Sequence, residues 1–291
     1  MLTNLIWEIQ KRWLTLLKSI WINFRLQRTL LSSGIIINYQ TRFSAIDETD
    51  GDTLFMFEVR NALNYLKDNN YEINLIGFDE CLMGMIEPLY DIKDFAEYFV
   101  ASEALEPADG WNYERVFGKL SSNPSASPEE FGKMIVDSFK EEYESYNSDL
   151  TLTLFKSSDI DYIVNNLNQF TSYLDSTNYE NFKSARENSW EVPDWEGGNY
   201  VDLYSFLSNF SYDSAVNIRL KIDSLYRFSK GNLNGISIYF PDSSNYLDEC
   251  YYATKENPTC EFNGKTVIGY YNPFTDTEWD EFLKEYYTLT E

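Results

Sequence analysis

Asn74-Leu-Ile-Gly-Phe-Asp-Glu-Cys-Leu-Met-Gly-Met-Ile-Glu87 reads as an apolar strand that stops at Gly77-Phe78-Asp79, with a cysteine two residues on and a helix soon after. In open α/β sheets, sites sit beyond the carboxyl ends of the strands. A thiol at Cys81 would be open to substrate there, and the partial positive charge of a helix start would favour the thiolate. The competing reading is a small buried core cysteine, the usual fate of a lone Cys. A nucleophile would also need an activating base.

On either side of this stretch the same alternation continues. Short β-rich runs read as strands at Ile73–Phe78, Tyr98–Ser102, Leu150–Phe155 and Gly235–Phe240. Helical patterns fall at Thr53–Lys67, Met85–Ile92, Pro128–Tyr146, Ile160–Leu174, Val201–Asn209, Ala215–Phe228 and Thr275–Tyr287. Asp52 and Ser127 are plausible helix caps, the second with proline at the first helical position. Strands alternating with helices predict an α/β sandwich with a largely parallel sheet. Val192–Asn199, with Pro193 and Gly197-Gly198, reads as a surface loop.

Composition narrows the chemistry. The chain has 291 residues, with Lys+Arg at 23 and Asp+Glu at 47, for a formal charge of −24. That field repels phosphate backbones and acidic lipid surfaces, so it argues against nucleic-acid or membrane partners and for basic or neutral ones. No stretch has the uncharged apolar length of a membrane span. There is no histidine. This excludes Ser-His-Asp and Cys-His catalysis, imidazole-bound zinc and any histidine base for the chain as written. Aromatic residues make up 17%, too large an apolar content for a disordered chain. Cys250 and Cys260 stand close enough to close a short disulfide loop, or are two reduced surface thiols. A bridge would imply an oxidising, exported setting.

The chain is not uniform. Residues 1–34 carry Lys11, Arg12, Lys18, Arg25 and Arg28 against one acid, Glu8, and hold Trp7, Trp13 and Trp21. Residues 1–40 are therefore set apart as a basic, Trp-rich segment that could form an amphipathic helix. A signal peptide fits poorly, because Lys18 interrupts the apolar run and no clean small-residue cleavage site follows.

Gly77-Phe-Asp-Glu-Cys-Leu-Met-Gly84, Val100-Ala-Ser-Glu103 and Pro107-Ala-Asp-Gly-Trp111 together resemble the clostripain family of caspase-fold cysteine peptidases. Asp47-Glu-Thr49, Gly51-Asp52, Tyr200-Val-Asp-Leu203, Gly235-Ile-Ser-Ile-Tyr-Phe-Pro241 and Glu278-Trp279 extend the likeness in order, from residue 41 to the end. The resemblance implies a caspase-like α/β/α sandwich and an endopeptidase cutting after Arg or Lys. Its nucleophile falls on Cys81. Asp79 and Asp109 fall where the family lines its primary specificity pocket, and a guanidinium in a partly desolvated slot does call for carboxylates. The competing readings are a helix cap for Asp79 and a turn residue before Gly110 for Asp109. The family is associated with calcium, although no EF-hand spacing occurs here. It is often matured by cleavage between its two catalytic segments, for which Arg42, Arg60 and Lys67 are candidate cut sites. A monomer is expected.

One element of the resemblance is missing. The family places a histidine upstream of the cysteine, at the end of an apolar strand, in a Trp-Asn/Asp-His-Gly motif. The corresponding place is near Gly34–Gln40, where neither His nor the motif occurs. Tyr39 is no substitute, since a phenol with a pKa near ~10 is a poor base at neutral pH. The N-terminal part of the fold is thus expected to be missing or replaced. The genetic code offers one account. Reading Arg28-Thr-Leu-Leu-Ser-Ser-Gly-Ile-Ile36 from the third base of each codon permits Tyr, four aliphatics, Trp, Asn or Asp, then His. Residues 1 to about 37 would then be an out-of-frame translation. Two functions are carried forward from the sequence. One is a cysteine endopeptidase by descent that is inactive as written. The other is a non-catalytic module binding basic peptides, with stacking on sugars as a minor variant.

Overall fold

The computed structural model describes residues 30–33, 43–47, 52–193, 199–244, 249–262 and 265–290. Of the basic head only Leu30–Ser33 falls among them, and residues 194–198 of the Val192–Asn199 loop lie outside them. In chain order the strands are β1 (Leu30–Ser33), β2 (Phe43–Asp47), β3 (Asp52–Phe55), β4 (Leu75–Phe78), β5 (Tyr98–Ala101), β6 (Leu150–Lys156), β7 (Tyr200–Asp202), β8 (Tyr226–Lys230), β9 (Ser237–Tyr239), β10 (Thr259–Phe262) and β11 (Lys265–Ile268).

The central sheet has the order β1-β4-β5-β6-β8. β1, β4 and β5 pair in parallel, and β6 runs antiparallel to both β5 and β8, so four of the five strands point the same way. The two-residue period of a strand sorts the side chains into two cores. Leu75, Tyr98, Val100, Leu150, Leu152 and Leu154 pack against the Tyr113–Ser122 and Pro128–Tyr143 helices. Ile76, Phe78, Phe99, Ala101 and Phe155 face the opposite core, with the Ile86–Ile92, Ser157–Thr171, Asp213–Ser224 and Trp279–Thr290 helices. Strands covered on both faces read as continuous apolar runs, as in β4 and β5. The result is the expected α/β/α sandwich.

The second core takes up much of the aromatic content. Phe170, Phe182, Phe206, Phe240, Trp279 and Phe282 are all buried there, and Trp279 donates its indole N–H to the Tyr239 carbonyl at 2.9 Å. Ser127 caps the Pro128–Tyr143 helix as expected, in a reciprocal box with Glu130.

Four boundaries differ from the sequence reading, the simplest being the expected Thr275–Tyr287 helix, which begins at Trp279 after a separate Pro273–Asp276 turn. Asp52 is not a cap: Asp52–Phe55 is a strand of the β2–β3 hairpin, and the helix begins at Met56 behind Phe55. Val201–Asn209 divides into β7, with β-favouring Tyr200-Val201, and the short Leu203–Leu207 helix capped by Asp202. Ala215–Phe228 stops as a helix at Ser224, and Tyr226–Lys230 is the edge strand of the main sheet, with Phe228 its one buried residue. β9 lies outside that sheet and pairs with β7. Cys250 and Cys260 form a disulfide that ties the Glu249–Tyr252 turn to β10.

Candidate active site

β4 delivers Phe78 to the carboxyl edge of the sheet, and the chain then leaves the strand through Asp79, Glu80 and Cys81. Leu82 adopts the left-handed region at φ 61°, uncommon for a residue with a branched side chain. The tertiary frame holds it there. The Leu82 N–H donates to the Ala104 carbonyl at 3.1 Å, and the Gly84 N–H donates to the Ser102 carbonyl at 2.6 Å. Gly84 must be glycine because a Cβ would lie 2.6 Å from the Glu103 backbone nitrogen. The Cys81 loop is thus clamped against the end of β5, and on its far side β9 joins in through Ser237 N–H to the Gly84 carbonyl at 3.1 Å.

Cys81 is half-buried, at the margin of the core rather than within it. Its sulfur accepts the Glu106 N–H at 3.2 Å, and the thiol faces the Glu106 carbonyl at 3.9 Å. Burial raises the thiol pKa, the Glu106 and Cys81 backbone N–H groups pull it back, and the Glu80 and Asp79 carboxylates push it up again. The expected thiolate-favouring helix start is therefore corrected. The next helix begins at Ile86 behind Met85, and the backbone groups that favour the thiolate are those of Glu106 and Cys81 instead. Desolvation dominates, with the Glu80 and Asp79 charges adding to it, and the resting group is the protonated thiol.

Asp79 does not cap a helix. Its Oδ1 accepts the Trp111 N–H at 3.0 Å and its Oδ2 accepts the Tyr113 hydroxyl at 2.8 Å. The turn that carries Asp109 is thereby folded over Asp79. Gly110 makes the fit possible, with φ 63° and no Cβ, since one would lie 2.9 Å from the Asp79 carboxylate oxygens. Tyr143 fixes the turn from the neighbouring helix, donating its hydroxyl to the Gly110 carbonyl at 2.5 Å. Asp109 itself is exposed at the tip of the turn. Both of its readings survive, since a turn residue before Gly110 is also an acid on the rim of this site.

Sequence reasoning passed over Glu106. Its backbone brackets the Cys81 sulfur, and its side chain turns under Trp111, whose indole N–H donates to Oε2 at 3.0 Å. Burial first, then the Asp79 and Cys81 charges, hold this carboxyl well above the usual carboxylate range. A Glu-Pro pair in a loop reads as solvated, so only the surrounding motif pointed here. Glu103 and Asp202 were also missed. They form a buried pair in which Gly235 N–H donates to Glu103 and Ser205 N–H donates to Asp202, and burial raises both.

The segment expected to supply the base, Gly34–Gln40, lies outside the described residues, as does Arg42. β1, immediately before it, pairs in parallel with β4 and sets Ser33 opposite Phe78. Arg60 is a poor cut site: it is buried in the Met56–Asp68 helix, paired with Asp91 and stacked over Tyr271. Lys67 is exposed in the last turn of that helix. Among the described residues no group of acidic or cysteine side chains gathers to hold a metal ion, so nothing described fits the calcium that the resemblance implies. No described helix is long and apolar enough to cross a membrane.

A model of the clostripain family matches residues 34–287. Among solved structures, an inactive zymogen C11 protease from Parabacteroides distasonis is similar at TM-score 0.59 and 14% identity, covering 80% of this chain and 69% of that one. A secreted C11 cysteine protease from Bacteroides thetaiotaomicron, complexed with an irreversible peptide inhibitor, is similar at TM-score 0.53 and 18% identity, covering 78% and 69%. A search of curated protein sequences finds no significant match.

Proposed function

The chain belongs to the clostripain family of cysteine peptidases, and from that membership we propose that it is a clostripain-type endopeptidase by descent, selective for Arg or Lys, which binds basic peptides without turning them over. The observation that carries this reading is the junction at the end of β4. A thiol stands there two residues from Asp79, and Asp79 is hydrogen-bonded to the turn that bears Asp109. In this reading Cys81 is the nucleophile position, and Asp79 and Asp109 pair with the guanidinium or ammonium of the residue before the scissile bond. The net charge of −24 draws basic peptides toward the site.

The inactivity has two supports. No histidine exists to take the thiol proton or return one to the leaving amine. Burial, with the Glu80 and Asp79 charges added to it, also keeps the thiol protonated. The position of β1 supports the out-of-frame account of the head. Leu30–Ser33, the four positions that the shifted frame permits as aliphatics, form the strand beside the cysteine-bearing one. The disulfide supports an exported location, and a monomer remains the expected state.

The test uses the 291-residue chain. An arginyl-amide substrate should be cleaved negligibly, because losing one partner of a nucleophile–base pair costs orders of magnitude. A peptide containing arginine should still bind, with affinity that survives Cys81→Ala and fails in Asp79→Asn and Asp109→Asn. Hydrolysis abolished by Cys81→Ala would overturn the inactivity, and binding indifferent to both aspartates would overturn the pocket.

A further inference from the structure

Asp79, Glu80 and Glu106 act on the Cys81 corner and Asp109 stands on the turn folded over Asp79; of these four acids only Asp79 and Asp109 have been given a task. Glu106 differs from both. Its Oε2 accepts from the Trp111 indole at 3.0 Å, but its Oε1 is shut off from solvent and meets no donor. The Asp79 carboxyl lies within hydrogen-bonding reach of the Glu106 carboxyl, with both of its own oxygens already engaged by Trp111 N–H and the Tyr113 hydroxyl. Other titratable groups face this corner from each packed element. Cys81 and Glu80 come from the same loop, Tyr113 from the start of its helix, Tyr143 from the end of the Pro128–Tyr143 helix, and Asp109 from the turn. Every one of them is neutral or negative when it ionises. Among the described residues no lysine or arginine pairs with Asp79, Glu106 or Asp109.

Two carboxylates this close, without a cation between them, cannot both be ionised at modest cost; one keeps a proton and donates it to the other. Burial selects Glu106 as the holder. A proton on Glu106 also gives the orphaned oxygen a role, as donor to Asp79. A guanidinium or ammonium entering beside Asp79 removes the reason for that proton, because its positive charge stabilises both carboxylates at once.

Resting on the pocket reading above, we infer that Glu106 is a third acid of the basic-side-chain pocket, which shares a proton with Asp79 while the pocket is empty and releases it to solvent when a cationic side chain enters. Glu106 touches the ligand's charge through Asp79 and is a specificity-determining residue rather than a catalytic one. The consequence is reciprocal: if the cation expels a proton, raising the pH must tighten binding of the cation.

The experiment is calorimetric titration of the full chain with N-acetyl-arginine amide at about pH 6, in two buffers of different ionisation enthalpy, repeated up to about pH 8, so as to span the range where a raised carboxyl loses its proton. The wild type is expected to release close to one proton per ligand at the lower pH, and to bind more tightly as pH rises, by up to about tenfold per unit. Glu106→Gln is expected to keep binding, release no proton and flatten that dependence. A wild type whose heat is the same in both buffers, or a Glu106→Gln protein that releases as many protons, overturns the inference and leaves the pocket reading intact. Absence of binding by the wild type overturns the pocket reading, and this inference with it. If Glu106→Gln does not fold, the wild-type proton count decides by itself.

Discussion

At the residue scale, the thiol and its acids act against each other. A carboxylate two residues from a sulfur suits a guanidinium ligand and disfavours a thiolate, and in a peptidase the histidine would resolve the conflict by taking the proton. Without it, Cys81 should alkylate at neutral pH more slowly than an exposed free cysteine, by about tenfold for each unit its pKa is raised. The rate should climb with pH beyond the ordinary thiol range. Asp79→Asn, which removes one of the two acids that push the thiol up, should speed alkylation at neutral pH; a slower or unchanged rate would show that Asp79 does not act on the sulfur. Gly84→Ala tests the frame. Its new Cβ meets backbone rather than a flexible side chain, so it should cost about 1–3 kcal/mol in denaturant unfolding. The placement of Cys81 after β4, and of Asp79 under the turn bearing Asp109, followed short motifs whose neighbours, Gly84 and Gly110, are fixed by close contacts. Glu106 was not legible, since nothing local distinguishes a buried glutamate from a solvated one. The thiol's ionisation was misread for a similar reason: Ile86 is near Cys81 in sequence, but the groups that set its proton arrive from elsewhere.

At the scale of elements, legibility followed the strength of the period. β4, β5 and β6 are buried on both faces, and their apolar runs leave no second reading. The Ser127 box announced its helix, and Ser127→Ala should lower stability by about 1 kcal/mol. The edge strand β8 was hidden because Asp213–Ser224 runs into it with only Leu225 between, and the composition does not change at the join. The Tyr113–Ser122 and Tyr179–Glu187 helices went unread, each burying only a few side chains. β1 carries the element-scale prediction. Its register with β4 ends at Ser33 opposite Phe78, the last strand residue before the loop that carries Cys81. Replacing residues 28–36 by the shifted reading, with its histidine, should bring hydrolysis of an arginyl amide that vanishes with Cys81→Ala. The upstream DNA provides a direct check. Codons for Ser33 not ending in T, or for Ile35 not ending in C, would eliminate the out-of-frame account.

For the whole molecule, the buried acids and the net charge of −24 act in the same direction on stability. Glu87 anchors the Ile86–Ile92 helix to β9 and to the Glu249–Tyr252 turn, accepting the Tyr239 N–H at 2.8 Å and the Tyr251 hydroxyl at 3.1 Å. Burial nevertheless outweighs those donors and raises its pKa from 4.5 to about 7. Asp91 rises from 3.8 to about 6 by burial despite its Arg60 partner, and Asp280 rises to about 7 through burial and Glu281. For an acid raised in the folded state, the native form holds a proton that the unfolded chain has already lost. Stability is therefore complete below the unfolded value and falls as pH climbs toward the folded one. For Glu87 the window runs from 4.5 to about 7, and its contribution to the loss is at most about 3 kcal/mol. Glu129, Glu141 and Asp175 are lowered instead and act in the opposite sense, but they are exposed and screened by solvent. Self-repulsion among the acids grows over the same range. The melting temperature should therefore be higher near pH 5 than near pH 8, by several degrees for a domain of this size. Glu87→Gln keeps an acceptor for Tyr239 and Tyr251 but cannot ionise, so it should shallow the fall and narrow its deficit as pH rises. A melting temperature that increases from pH 5 to pH 8, or a Glu87→Gln profile parallel to the wild type, would mean that these carboxyls are ionised in the native protein and that the core around them admits more water than its packing implies.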